Sequence, residues 1–83
     1  MLITFHSVNQ ALFLEAACKE RGMVCALIPT PRKLSSSCGY AAEVEAEDAP
    51  RLISLLRDMN AEWEALWQET EGGWERITEL YVT

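Results

Sequence analysis

The chain has one histidine, three cysteines and no Cys-x-x-Cys pair, and each scarcity excludes something. A structural zinc site needs four ligands at tight local spacings, and a disulfide framework needs an even set of cysteines, so neither is expected and the thiols are read as reduced. No metal and no cofactor is called for. Long apolar runs are missing too, so nothing approaches the roughly 20 residues that span a bilayer. The stretch Met1 to Phe5, before His6, is too short to be the apolar core of a signal peptide. A cytoplasmic protein without membrane contact is the expectation. Basic side chains are few, seven against thirteen acidic for a net charge of −6, which disfavours nonspecific binding to nucleic acid. Repeats and low-complexity segments are absent, and 83 residues suffice for one small domain.

The charge that is present is unevenly placed. Residues 1–40 carry four basic and two acidic side chains, whereas residues 41–83 carry three basic and eleven acidic ones. Within the more positive half lies Pro29 to Gly39, Pro-Thr-Pro-Arg-Lys-Leu-Ser-Ser-Ser-Cys-Gly, the one stretch not explained by the need to fold. Its prolines fix φ and remove two ladder donors, so an entering strand must stop or lie at a sheet edge. Arg32 and Lys33 supply positive charge, and the amides of Ser35, Ser36 and Ser37 could form a nest for an anion. Cys38 brings a thiol and Gly39 permits a sharp bend or a close approach.

On either side the pattern reads as scaffold. Leu2 to Phe5 predicts a first strand. Ser7 with Gln10 has capping-box spacing and opens a helix to Arg21, with Gly22 in the position that tolerates positive φ. Its stripe of Ala11, Leu14 and Cys18 is broadened by Leu12, Phe13 and Ala17, which suggests more than one packing neighbour. Met23 to Ile28 predicts a second strand and Tyr40 to Ala46 a third, with Tyr40, Ala42, Val44 and Ala46 on one face and Glu43 and Glu45 on the other. Asp48 then caps a second helix with Pro50 in its first turn and the stripe Leu52, Leu55, Leu56 and Met59 packed on the sheet.

From Asn60 two readings stand. The helix continues through Trp63, Leu66, Trp67 and Thr70, or Asn60 stops it and Glu62 to Gln68 is a fourth strand with Trp63, Ala65 and Trp67 inward. After Gly72-Gly73, the spacing of Trp74, Ile77, Leu80 and Tyr81 predicts a short C-terminal helix. The strand reading gives an α+β domain of ferredoxin-like βαββαβ order, two helices on one face of a four-stranded antiparallel sheet. Its domain is 1–69, and 70–83 is an extension packed over the sheet or against a second subunit. Small domains with an uncovered sheet face often dimerise, so a homodimer is among the expected states.

Ile3-Thr4-Phe5-His6-Ser7 opening a helix, Leu27-Ile28-Pro29-Thr30-Pro31-Arg32, Ser36-Ser37-Cys38-Gly39 and a closing Glu62-Trp63-Glu64-Ala65-Leu66-Trp67 together resemble the small bacterial selenium/sulfur carrier protein-like family. The resemblance covers about residues 2–68. It implies a carrier thiol at Cys38, with Gly39 beside it and Arg32 matching the loop arginine. It also implies cysteine desulfurases or other sulfur and selenium donors and acceptors as partners.

Each feature also has a plainer reading. Cys38 could be a small residue filling a turn, leaving the loop, through Arg32, Lys33, Ser35 to Ser37 and Gly39, as the anion site of a binding or regulatory module. Cys18 and Cys25 read as core. His6 reads as a surface or capping residue rather than a catalyst. Glu43, Glu45, Glu62 and Glu64 read as the solvent face of a sheet, not a metal cluster. With no general base placed beside the thiol, a carrier or accessory protein is expected more than a stand-alone enzyme.

Overall fold

The computed structural model describes residues 1–34 and 39–78. The elements run β1 (Leu2–Thr4), α1 (Val8–Glu20), β2 (Cys25–Pro29), β3 (Tyr40–Val44), α2 (Ala49–Asp58), β4 (Ala65–Thr70) and β5 (Gly73–Arg76). All neighbouring strands are antiparallel, in the order β2-β3-β1-β4-β5. The expected α+β architecture is present, with a sheet of five strands instead of four. No described helix is long and apolar enough to cross a membrane.

Both helices stop by the same device. Gly22 (φ 69°) follows α1 and lets Met23 N–H reach Cys18 O at 2.9 Å; Asn60 (φ 54°) follows α2 and lets Ala61 N–H reach Leu56 O at 2.9 Å. Asn60 therefore ends the helix and decides between the two readings of residues 60–70: β4 pairs with β1, Thr4 opposite Ala65 and Leu2 opposite Trp67. The helix starts depart from expectation. Neither Ser7 nor Asp48 makes a side-chain cap. Instead Gln10 Oε1 accepts from the His6 N–H at 2.9 Å, and Asp48, already helical at φ −91°, sits 4.0 Å from Arg51.

The helices pack on one sheet face. Ala11, Leu14, Ala17 and Cys18 from α1 and Leu52, Ile53, Leu55 and Leu56 from α2 bury against Ile3, Ala42, Val44 and Leu66. Full burial of each large aliphatic side chain stabilises by about 1.5–3 kcal/mol. The broad stripe of α1 is not all used: Leu12 and Phe13 are 48% and 47% exposed, and Met59 is exposed at the end of α2. Trp63 packs at the rim of this core, whereas Trp67 lies on the opposite face, because β4 begins at Ala65 and its helix-side residue is Leu66.

The C-terminal stretch corrects the helical expectation. Thr70 pairs with Gly73 and Glu69 with Trp74, so Glu71-Gly72 is a two-residue hairpin turn and the chain returns as β5. Strand periodicity wins because Trp74 and Arg76 then share the face that carries Trp67 and Glu69, while Ile77 beyond the strand buries in the helix-side core. Leu80 and Tyr81 lie outside the described residues.

Candidate functional site

The face of the sheet away from the helices is partly covered by the start of the connection between β2 and β3. Across it runs one row of side chains, Ala26, Glu43, Leu2, Trp67 and Arg76, set by the registers of five strands. Above Leu2 lies Leu34, the single apolar side chain between Lys33 and Gly39, only 7% exposed and packed with Leu2 and Ala41. Ile28, Trp67 and Trp74 border this second, smaller core. Leu34 thus anchors the segment on the sheet, and β1 is buried on both faces as a result.

Three further contacts shape the segment. At its base the Thr30 N–H donates to Gly39 O at 2.9 Å, and Gly39 turns at φ 80°, a conformation other residues rarely adopt. Leu34 N–H donates to Pro31 O at 2.9 Å, closing a tight turn through Arg32 and Lys33. Lys33 Nζ donates to Gly72 O at 3.2 Å, tying the turn to the β4–β5 hairpin. Between the two runs a groove of about 440 Å³, bordered by Arg32, Lys33, Glu69, Glu71 and Trp74. Arg32 is exposed and forms no ion pair with another described residue.

Of the residues singled out in the sequence, Arg32, Lys33 and Gly39 lie in this segment; Ser35, Ser36, Ser37 and Cys38 lie outside the described residues. Sequence reasoning passed over Leu34, although an isolated leucine among polar residues is the usual mark of an anchor. It also passed over Thr30, whose Oγ1 is buried without a hydrogen-bond partner among the described residues, at the base of the segment. An unpaired buried hydroxyl costs free energy and is a feature of functional and strained places.

The other two thiols are elsewhere, on the helix side. Cys18 is 1% exposed in the core, and Cys25 packs beside it. Burial pushes the Cys25 thiol up from 9.0 to about 12, helped by its contact with the Cys18 thiol and by the charge of Glu15. Cys25 is not suited to attack, because the thiolate is the nucleophile, and Cys18 is enclosed beyond the reach of a partner. His6 is exposed, its Nδ1 3.6 Å from Glu64 Oε2, a surface pairing remote in sequence from the thiols. Glu43 and Glu45 are exposed, as alternation requires. Glu62 accepts from Gln10 Nε2 at 3.2 Å and Glu64 faces Thr4, so these carboxylates hold neighbouring elements together. No group of three His, Cys, Asp or Glu placed to hold a metal ion occurs among the described residues.

No curated protein and no solved structure matches the chain. The ends of the segment between Leu27 and Gly39 and the strands β1, β2 and β3 fall within residues 1–68, which match the family model described as Putative Se/S carrier protein-like, and the chain belongs to that family.

Proposed function

We propose that this protein is a cytoplasmic, ferredoxin-like carrier that holds a sulfur or selenium atom on the thiol of Cys38. The observation that carries the reading is the fate of the other two thiols: Cys18 is buried and Cys25 is held protonated, so Cys38 is the remaining candidate among the three cysteines of the sequence. Family membership and the seating of the Pro29–Gly39 segment by Leu34 and Lys33 support it. Arg32 supplies positive charge on the same segment, which favours the anionic form of a nearby thiol or persulfide.

Loading is a thiol exchange. The Cys38 thiolate attacks the terminal sulfur of a donor persulfide, R–S–SH; a new S–S bond forms, the donor's S–S bond breaks, and R–S⁻ leaves with the bonding electron pair. The terminal proton stays on the transferred sulfur, so no external oxidant or reductant is consumed. Unloading is the same step with an acceptor thiolate. A cysteine desulfurase is the donor class that fits, and selenium follows the same course with S–Se replacing S–S.

The competing reading, a module that holds an anionic metabolite with Cys38 structural, is weaker because Glu69 and Glu71 border the groove beside Arg32 and Lys33. The deciding experiment is intact-mass analysis after incubation with a cysteine desulfurase and cysteine. A gain of one sulfur atom that a reductant removes and that Cys38→Ser abolishes is expected. Undiminished loading of a folded Cys38→Ser variant sinks the carrier reading.

A further inference from the structure

Among the described strands β2 is an outer one, hydrogen-bonded to β3 alone. In an antiparallel ladder, residues alternate between those that exchange both backbone bonds with their partner and those that exchange none. The bond from Thr30 N–H to Gly39 O sets the phase: Ile28 and Ala26 also turn toward β3, and Pro29, Leu27 and Cys25 turn their backbone groups outward. Met1 gives the same phase from the other side. Its amino group donates to Val44 O at 3.0 Å and its carbonyl accepts from Val44 N–H at 2.9 Å, so Val44, opposite Cys25, is committed to the central strand.

The outward ladder has defined ends. Pro29 has no N–H, and the Met23 N–H is already given to Cys18 O. Between them, the outward donors are the N–H groups of Cys25 and Leu27. Proteins usually block such an edge with a charge or a bulge. Residues 23–28, Met-Val-Cys-Ala-Leu-Ile, carry no charge, and Val24 is 71% exposed. The opposite edge, β5, carries Glu75 and Arg76.

We propose that β2 pairs antiparallel with β2 of a second copy of this chain, about a two-fold axis through Ala26, joining the two sheets into one. The choice of a second copy rests on self-complementarity. In this register Cys25 faces Leu27 of the second copy and Leu27 faces its Cys25, so every outward N–H of both chains finds a carbonyl. A slip of two residues either way brings Pro29 or Met23 opposite, whose N–H is missing or already given, and leaves the facing carbonyl of Cys25 or Leu27 without a donor. On the open face Ala26 meets its own counterpart at the close spacing of a non-hydrogen-bonded pair, which a methyl group permits, and Val24 covers Ile28 of the second copy. Along the open-face row through Ala26, the nearest like charges, Glu43 of each chain, are separated by three strand spacings, about 14 Å. That exceeds the screening length of about 8 Å at physiological salt.

Sedimentation equilibrium on the full chain, under reducing conditions and over a concentration series, should show the mass rising from one chain to two. Hydrogen exchange should then show the Cys25 and Leu27 amides gaining protection with concentration, while Ala26 and Ile28, already bonded to β3, change little. Ala26→Lys and Ala26→Glu each set like charges face to face and should each sediment as one chain; their equal mixture should regain the two-chain mass. A single chain at every concentration overturns the proposal, as does a dimer that persists in both variants or protection that rises elsewhere. The exchange measurement uses the unaltered chain, so it decides the matter even if a variant folds poorly.

Discussion

The indole N–H of Trp67 donates to Thr4 Oγ1 at 3.0 Å, tying the central strand to its neighbour across the open face of the sheet. Thr4 is fully buried, and its own hydroxyl proton is directed at Ala65 O (3.3 Å) or Glu64 Oε1 (3.4 Å). One hydroxyl therefore satisfies a donor and an acceptor on β4.

Replacing Thr4 with valine keeps the shape and removes both bonds. With the partners left unpaired, the cost should be about 1–3 kcal/mol. Thermal or urea unfolding of Thr4→Val measures it; an unchanged midpoint would mean that water replaces the hydroxyl.

The three thiols should react in a fixed order. A limiting alkylating reagent near neutral pH should label Cys38 first, Cys25 slowly and Cys18 last, because Cys25 is held protonated and Cys18 is enclosed. Peptide mass analysis reads the order, and Arg32→Gln should slow labelling of Cys38 while leaving the other two as they were. First labelling of Cys18 or Cys25 would contradict the assignment of the reactive thiol.

Stability should fall in alkali through Cys25. Its folded pKa, about 12, lies above the ordinary 9.0, so between these values the unfolded chain sheds a proton that the folded chain keeps. The stabilisation is complete below pH 9 and is lost as pH rises toward 12. Wild type and Cys25→Ala, compared by urea unfolding at a series of pH values, should show the difference between them shrinking only in that window.

Leu34→Ala should loosen the segment that bears the proposed carrier thiol. Removing a buried leucine costs about 2–5 kcal/mol in a closed core, and the lower end is expected here because Trp67 and Trp74 leave this second core half-open. The variant should be cleaved faster by a protease within residues 30–39 while its helices remain. Equal cleavage rates would show that Leu34 does not anchor the segment.

Cutting the chain before Gly73 removes β5 together with Ile77, which is 4% exposed in the helix-side core. The loss should exceed about 3 kcal/mol and should also free Lys33 from its hairpin anchor. A melting temperature equal to that of the full chain would mark the C-terminal segment as dispensable.

Much of the framework was legible because short-range chemistry decides it. Gly22 and Asn60 end helices through backbone conformation that the residues either side cannot alter, and the alternation of Ala42, Glu43 and Val44 allows one register only. The hairpin was not legible, since Trp74 and Ile77 fit helical spacing as well as they fit a strand followed by a turn inward. What separates the two is the pairing of Trp74 with Glu69 and Arg76 with Trp67, a long-range fact. The cap residues failed for a similar reason: Gln10 bonds one residue upstream of the expected position, and Asp48 is drawn into a turn begun by Glu45. At the candidate site, charge and proline marked the segment from Pro29 to Gly39, but its seating on the sheet depends on Leu34 meeting Leu2, distant in sequence.

The unlike edges of the sheet limit how far the protein can assemble. Strand addition at β2 consumes that edge in both copies, and what remains at each outer end is β5 with Glu75 and Arg76. On the proposed pairing, no second uncharged edge is left among the described strands to recruit a third chain, so growth would close at two.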